Sequence, residues 1–149
     1  MMRDKGIGTH NITIKDCYCE GVQTAVHSTS DGKFIIKNST FKEVGIPVNF
    51  AKKNTREATV LVEGCEFIKC GLAEDGKDSA WNYAAPIRVV DNGGPDNSMF
   101  VKISNCSITE NLSRWDVLLT EYRTDKERNA FYVKREIENS GELEVRDWR

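Results

Sequence analysis

The chain contains the octapeptide Ile12-Thr-Ile-Lys-Asp-Cys-Tyr-Cys19, and three later stretches align with it position by position. Each copy has two apolar residues separated by a spacer, then a small or turn-forming residue, then Cys or Ser, and finally an apolar or Cys side chain. This order predicts a strand, a sharp bend and a second strand. Because one copy cannot bury its own apolar row, the copies are expected to stack as a solenoid of β-coils. The later copies are Phe34-Ile-Ile-Lys-Asn-Ser-Thr-Phe41, Val60-Leu-Val-Glu-Gly-Cys-Glu-Phe67 and Val101-Lys-Ile-Ser-Asn-Cys-Ser-Ile108.

The spacing between copies is uneven, because the equivalent residues Ile14, Ile36, Val62 and Ile103 lie 22, 26 and 41 residues apart. About 22 residues suit one turn of three short strands joined by brief bends, so the longest interval is expected to carry insertions. A third apolar segment follows each copy, which predicts three strands per coil. These segments are Thr24–His27, Ile46–Phe50, Pro86–Val90 and Asp116–Thr120.

The whole chain, 1–149, is predicted to be a single domain, since its length suits one core of ordinary size. Residues 1–10 form an N-terminal lead-in, and 11–123 form the coils. Residues 124–149 fit the repeat less well, although two of their segments alternate like strands, and they are predicted to be a divergent last coil or a C-terminal cap.

The bend of the repeat is occupied only by residue types that tolerate a left-handed backbone, namely Asp16, Asn38, Gly64 and Asn105. A column restricted to Asp, Asn and Gly predicts a coil corner with positive φ at every copy.

With this column, the repeated octapeptide resembles the right-handed parallel β-helix repeats of the pectin-lyase-like superfamily, over roughly residues 8–123. The resemblance implies an all-β fold, a right-handed single-stranded parallel β-helix of about four to five coils. It also implies a stacked ladder of Asp16, Asn38 and Asn105 at the bend, interrupted by Gly64. An immunoglobulin-like sandwich is the alternative fold, but it predicts no column-by-column similarity.

Composition excludes several classes of partner. The formal net charge of −2 gives no basic field for nucleic acid or an anionic membrane surface. No apolar run approaches the roughly 20 residues that span a bilayer, and the first residues lack the apolar segment of a signal peptide. We therefore expect a soluble chain without a membrane or nucleic-acid partner.

Five cysteines cannot all pair within one chain, which favours reduced thiols and a cytoplasmic location. Cys17, Cys65 and Cys106 share a column with Ser39, and Cys19 shares one with apolar residues. These columns predict buried structural thiols, because their other members are poor metal ligands. A metal site built on Cys17 and Cys19 is the alternative, and a disulfide between Cys65 and Cys106 is a secondary one.

The third-strand sheet is the expected place for a ligand, because the longest connections flank it and the enzymes of the resembled superfamily place their clefts there. Alternation points Val26, Val48, Ile87, Val89, Val117 and Leu119 inward, and Val90 and Leu118 outward. The insertion 71–83 forms an aromatic wall beside the sheet, so the candidate groove combines rings with polar groups that suit a sugar. Its residues are His27, Asn49, Arg88, Thr120, Trp81 and Tyr83.

Several of these side chains have a structural interpretation as well as a functional one. His27 is either a general base or a solvated surface residue. Arg88 either binds a uronate carboxylate or pairs with Asp91 or Glu121. Trp81 and Tyr83 either stack on a ligand or anchor the insertion in the core. A Ca²⁺ site on the insertion is the last alternative to a solvated acidic loop; its candidate ligands are Glu74, Asp75 and Asp78.

The resemblance implies clustered carboxylates in hydrolases and calcium ligands in lyases, and the third-strand sheet shows neither set. We therefore predict a non-catalytic module, which binds carbohydrate or assembles as a homo-oligomer, with no catalytic residues, metal or cofactor. The alternative is a small polysaccharide-active enzyme, lyase or glycosidase-like, with its groove on this sheet. The N-terminal coil has no helix to cover it, so its open end is expected to be buried by another subunit, as an oligomer contact, or by protein sequence outside this chain.

Overall fold

The computed structural model describes residues 2–4, 9–29, 31–52, 57–72, 84–91, 99–113, 115–122, 128–133 and 141–146. Within these ranges the regular structure is entirely β, and no helix occurs. The strands are β1 (Met2–Asp4), β2 (Thr9–Lys15), β3 (Tyr18–Glu20), β4 (Thr24–Ser28), β5 (Asp31–Lys37), β6 (Thr40–Lys42), β7 (Ile46–Lys52), β8 (Ala58–Glu63), β9 (Glu66–Ile68), β10 (Ile87–Asp91), β11 (Met99–Thr109), β12 (Val117–Tyr122), β13 (Arg128–Val133) and β14 (Gly141–Arg146).

The strands form three sheets that the chain visits in turn. The first sheet contains β2, β5, β8 and the first part of β11, and the second contains β3, β6, β9 and the last part of β11. The third sheet contains β1, β4, β7, β10 and β12. All of these pairings are parallel. The fold is therefore all-β with mostly parallel strands, which is compatible with a β-helix-like arrangement.

We define four repeats from this order: repeat 1 is β2–β4, repeat 2 is β5–β7, repeat 3 is β8–β10 and repeat 4 is β11–β12. The register confirms the sequence alignment. Ile14 lies opposite Ile36, Ile36 opposite Val62, and Val62 opposite Ile103. Equivalent residues of successive copies therefore lie side by side on neighbouring strands.

The core is a column of apolar side chains enclosed by the three sheets. The rings of Phe41 and Phe67 stack with centroids 5.3 Å apart and an angle of 12° between their planes. Phe34 and Phe50 stack at the same separation. Each such pair adds about 0.5–1.5 kcal/mol beyond the burial of its area. Phe41 and Phe67 are the last residues of two aligned octapeptides, so their contact agrees with the expected stacking of equivalent residues.

The first corner of each repeat has the predicted left-handed backbone. The φ angles are 55° at Asp16, 48° at Asn38, 64° at Gly64 and 51° at Asn105. A Cβ at Gly64 would lie 2.5 Å from Oδ1 of Asn38, so the side chain of Asn38 fills the space that glycine leaves. Glycine at this position therefore allows both the left-handed backbone and the close approach of the Asn38 side chain.

A second left-handed corner follows five residues later in every repeat, and the sequence did not reveal it. The φ angles are 69° at Gly21, 52° at Glu43, 53° at Lys69 and 51° at Glu110. Glu and Lys carry a Cβ that opposes this conformation by about 1–2 kcal/mol per residue. The corner is consequently imposed by the coil rather than by the preference of its residues.

The C-terminal segment supplies two strands that run in the opposite direction to the strands with which they pair. β13 runs antiparallel to β12 in the third sheet, and β14 runs antiparallel to β11 in the first sheet. The second sheet gains no strand of this kind within the described ranges. The two ends of the molecule therefore differ in strand direction.

All five cysteines are free thiols. Cys65, Cys70 and Cys106 are buried in the core, whereas Cys17 and Cys19 are only partly buried. The hydrogen bond with the Cys106 thiol, together with burial, raises the pKa of Cys65, and burial raises the pKa of Cys70. Cys65 and Cys70 are therefore protonated at neutral pH and act as apolar packing groups.

Candidate functional site

A polar row crosses the third sheet at the position predicted for the groove. His27 lies opposite Asn49, and Asn49 lies opposite Arg88, on three neighbouring strands. Nδ2 of Asn49 and Nδ1 of His27 are 2.9 Å apart, which is a hydrogen bond. The structure therefore brings together three of the predicted residues, and His27 is half-buried and engaged by Asn49 rather than fully solvated.

Asn49 is the most buried member of the row, with 7% of its surface exposed. Among the described residues, no group forms a hydrogen bond with its Oδ1. A buried amide oxygen without a partner is costly, so it can accept a hydrogen bond from a ligand or from water. Arg88 is half-buried, next to Asn49 in the row.

The outer face of the third sheet is less open than alternation alone suggests. Val90 and Leu118 belong to this face and not to the core cluster, yet they are 5% and 0% exposed. The face is therefore covered around these residues, and an open groove does not extend along its whole length.

The remaining groove residues are defined less fully. Thr120 lies opposite Val90 in the register, one row beyond Leu118, but its side chain is not described. Trp81 and Tyr83 lie outside the described residues, as do the candidate calcium ligands Glu74, Asp75 and Asp78.

Asp116, a carboxylate near this sheet, has a structural role. Its Oδ1 accepts a hydrogen bond of 2.6 Å from Nδ2 of Asn111. The same Asn111 amide donates to the Trp115 carbonyl, and its oxygen accepts from the Ser113 N–H. Asp116 thus fixes the turn that leads into β12. In the parts of the chain that the structure describes, no group of three or more His, Cys, Asp or Glu side chains could hold a metal ion.

The N-terminal end of the stack is a second candidate site. The inward-facing residues of β2, of β3 and of the bend between them are only partly buried, whereas their equivalents in repeat 2 are 0–2% exposed. Among the residues that the structure describes, no strand pairs with the outer edge of β2 or β3. Apolar side chains and unpaired backbone groups are therefore exposed together. The residues of repeat 1 are Ile12, Ile14, Cys17 and Cys19, and those of repeat 2 are Phe34, Ile36, Ser39 and Phe41.

A cavity of about 550 Å³ lies at the second corner. Its walls include the half-exposed side chains Val22, Leu72 and Leu112, and the ion pair of Glu43 with Lys69 lies beside them at 3.4 Å. Neither Val22, Leu72 nor Leu112 was singled out from the sequence. Their shared corner becomes visible only once the repeats are stacked.

Charged side chains on the outer faces of the first and second sheets pair between neighbouring repeats. Lys42 lies 2.9 Å from Glu20, and Lys37 lies 2.9 Å from Glu63. The hydrogen bond from Lys42 lowers the pKa of Glu20, and the same contact raises the pKa of Lys42. Exposed pairs of this kind contribute little to stability.

In the described part of the chain, no helix is long and apolar enough to cross a bilayer. Comparisons with protein-family models, with curated proteins and with solved structures found no match to this chain. The geometry of the chain itself is therefore the basis for a functional proposal.

Proposed function

We propose that this chain is a non-catalytic module of the right-handed parallel β-helix type that assembles with a second copy through its N-terminal end. The observation that supports this is the difference between the partly buried inward-facing residues of β2 and β3 and their fully buried equivalents in repeat 2. Both repeats follow the same sequence pattern, so repeat 1 is built to be covered on both sides.

The chemistry of this end favours a protein partner with a strand edge. Covering the apolar side chains contributes about 25 cal/mol per Å² of area removed from water. The free edges of β2 and β3 offer backbone donors and acceptors, which another strand satisfies and a small ligand does not. A second copy supplies both surfaces at once.

Molar mass by size-exclusion chromatography with light scattering, over a concentration series, tests this proposal. We expect a homo-oligomer that dissociates on dilution, and slower alkylation of Cys19 in the oligomer than in the dissociated chain. Ile12→Lys places a charge at the open end and should give a folded monomer.

Ile35→Lys is the matched control, because Ile35 lies next to the buried Ile36 on the opposite face of β5 and away from the N-terminal end. This variant should associate like the unmodified chain. A monomer at every concentration, with Cys19 fully reactive throughout, would contradict the proposal.

The polar row favours a second candidate function, binding of a polysaccharide on the outer face of the third sheet. The unpartnered Oδ1 of Asn49 is the specific observation, since a sugar hydroxyl would satisfy it. In this proposal, His27 and Arg88 contribute further polar contacts.

A glycan array with the unmodified chain and with Asn49→Ala tests this candidate, and Lys33→Ala on another sheet is the control. Binding that only Asn49→Ala weakens supports it, whereas no binding or equal weakening contradicts it. The enzymatic alternative predicts unsaturated or shortened products from uronate polymers, which the same samples report.

A further inference from the structure

The shapes of the two ends of the stack restrict how two copies can join. Each repeat enters the first sheet, then the second, then the third, and the next repeat lies one strand further along every sheet. A coil of this kind climbs about one third of a strand spacing from each sheet to the next, with about 4.8 Å per full turn. The N-terminal end is therefore a staircase: β1 lies lowest in the third sheet, β2 lies one step above it in the first, and β3 one step higher in the second.

A head-to-tail contact with like sheets aligned does not fit this staircase. At the C-terminal end, β13 extends the third sheet and β14 extends the first, while the second sheet ends at β11 within the described ranges. If the third sheets of two copies pair at one strand spacing, gaps of two and three spacings are left in the first and second sheets. Closing either gap brings the third sheets into collision, so the described strands do not allow a head-to-tail contact that pairs like sheets in all three positions.

A two-fold axis fits the staircase in one orientation. An axis through the first sheet places β2 against β2 of the second copy and exchanges the second and third sheets. The step from β1 up to β2 then equals the step from β2 up to β3, so β1 of each copy lies one strand spacing from β3 of the other. An axis through the second sheet places β1 of each copy at the same height as β2 of the other, so these strands collide. An axis through the third sheet leaves β2 of each copy two strand spacings from β3 of the other.

The strand lengths agree with this orientation. β1 and β3 each contain 3 residues, and β2, which pairs with itself, contains 7. Because the axis is perpendicular to the stack, every new pair is antiparallel, and the contact is the same for both partners. The stack would then be closed at its N-terminal end in all three sheets.

We infer that two copies form a closed dimer about a two-fold axis between their β2 strands, with β1 of each copy paired to β3 of the other; this rests on the proposed assembly through the N-terminal end. The partner is thus a second copy of this chain, and the contact is an antiparallel β2–β2 ladder.

The backbone of β2 indicates which groups form that ladder. The N–H of Asp16 donates to the carbonyl of Lys37 on the neighbouring repeat. Since donors alternate along a strand in a parallel pair, the even-numbered residues of β2 bond to β5, and Asn11, Thr13 and Lys15 direct their N–H groups to the open edge. The Thr13 side chain is exposed, so it can be replaced without disturbing the core.

Thr13→Pro tests the ladder, because it removes one N–H at the open edge and leaves the bonds to β5 intact. Proline is tolerated on an edge strand. We expect this variant to remain folded and to raise the dimer dissociation constant about tenfold or more, since the two-fold axis doubles the loss. Thr13→Val retains the N–H and should keep the dissociation constant of the unmodified chain.

Hydrogen exchange tests the ladder directly, because the exchange rates of the outward-directed β2 amides change with association only if these amides lie in the contact. The amides of Asn11, Thr13 and Lys15 should exchange slowly in the dimer and fast in the diluted chain, while the even-numbered amides of β2 should stay protected in both. A nitroxide at position 13 should lie within about 5–8 Å of its counterpart at the Cβ level.

The outcomes separate the two proposals. If Ile12→Lys abolishes association but Thr13→Pro leaves the dissociation constant unchanged, the N-terminal end assembles and the two-fold β2 ladder is wrong. A trimer or a filament would overturn the ladder in the same way. If the unmodified chain is monomeric at all concentrations, both proposals fail.

Discussion

Repeats 1 and 2 follow the same sequence pattern and end in different environments. Ile14 and Ile36 are neighbours in the register, yet Ile36 is fully buried and Ile14 only partly. Repeat 2 has a neighbour on both sides, whereas repeat 1 has one complete neighbour. Burial in this molecule is therefore set by position in the stack, and the same substitution should have different effects in the two repeats.

The largest difference is expected for truncation of these two isoleucines. Ile36→Ala leaves a cavity between two repeats and should reduce the free energy of unfolding by about 2–5 kcal/mol. Ile14→Ala removes fewer contacts and should cost roughly half as much in the dissociated chain. Urea unfolding at low protein concentration measures both. Equal losses would mean that the first repeat is already covered in the monomer.

A second difference concerns the thiol column, in which Cys65 is buried and Cys17 is partly exposed. The pKa of Cys65 is raised in the folded chain, so the folded state keeps a proton that the unfolded state releases above about pH 8.5. The stability from this thiol is complete below that pH. The hydrogen bond with the Cys65 thiol lowers the pKa of Cys106, which adds stability as the pH rises through its own titration. As the pH rises further, the net stability should therefore fall by at most about 1.4 kcal/mol per pH unit.

Cys65→Ser checks this pH dependence, because Ser39 occupies the same column in repeat 2. Unfolding midpoints of the unmodified chain and of Cys65→Ser between pH 7 and about pH 10 should diverge, with the variant showing the shallower decline. Parallel curves would assign the alkaline loss to other groups.

The first corner provides a smaller test. At Gly64 the backbone is left-handed, and Oδ1 of Asn38 lies 2.5 Å from the place that a Cβ would take. Gly64→Ala should therefore reduce the free energy of unfolding by about 1–2 kcal/mol. Gly64→Asn tolerates the backbone better and should cost less than Gly64→Ala in the same urea titration. The reverse order would show that contact with Asn38, rather than φ, controls this corner.

The second corner should show the smallest effect, and one of opposite sign. Gly21 adopts this conformation freely in repeat 1, whereas Glu43 adopts it in repeat 2 despite its Cβ. Glu43→Gly relieves about 1–2 kcal/mol of backbone strain. It also loses the exposed pair with Lys69 and gives the unfolded chain more freedom. We expect a net gain below about 1 kcal/mol in thermal unfolding, and a clear loss would show that the pair is worth more than its exposure suggests.

The two corners also show what the sequence can predict. Asp16, Asn38 and Asn105 mark the first corner because their residue types favour positive φ, and the repeat, its register and the stacked core columns follow from the same alignment. Glu43 and Lys69 carry no such signal, and only their constant distance of five residues from the first corner indicates the second. Local preference is overridden there by the geometry of the coil.

The candidate sites were predictable only in part. Alternation placed His27, Asn49 and Arg88 in one row, since side-chain direction follows directly from strand periodicity. It could not show that Val90 and Leu118 are buried on the same face, because coverage depends on segments far away in the chain. The partial exposure of repeat 1 follows from its place at the edge of the described stack, where β2 and β3 each have a neighbouring strand on one side only.

The register between the first two repeats has a further consequence for the size of the molecule. Lys15 lies opposite Lys37, and the 22 residues from 16 to 37 form one complete circuit of the three sheets. A duplicate of this segment inserted after Lys37 would add one strand to each sheet and lengthen the stack by about 4.8 Å. Both terminal surfaces would keep their residues, so the distance between them can be adjusted in increments of a single layer.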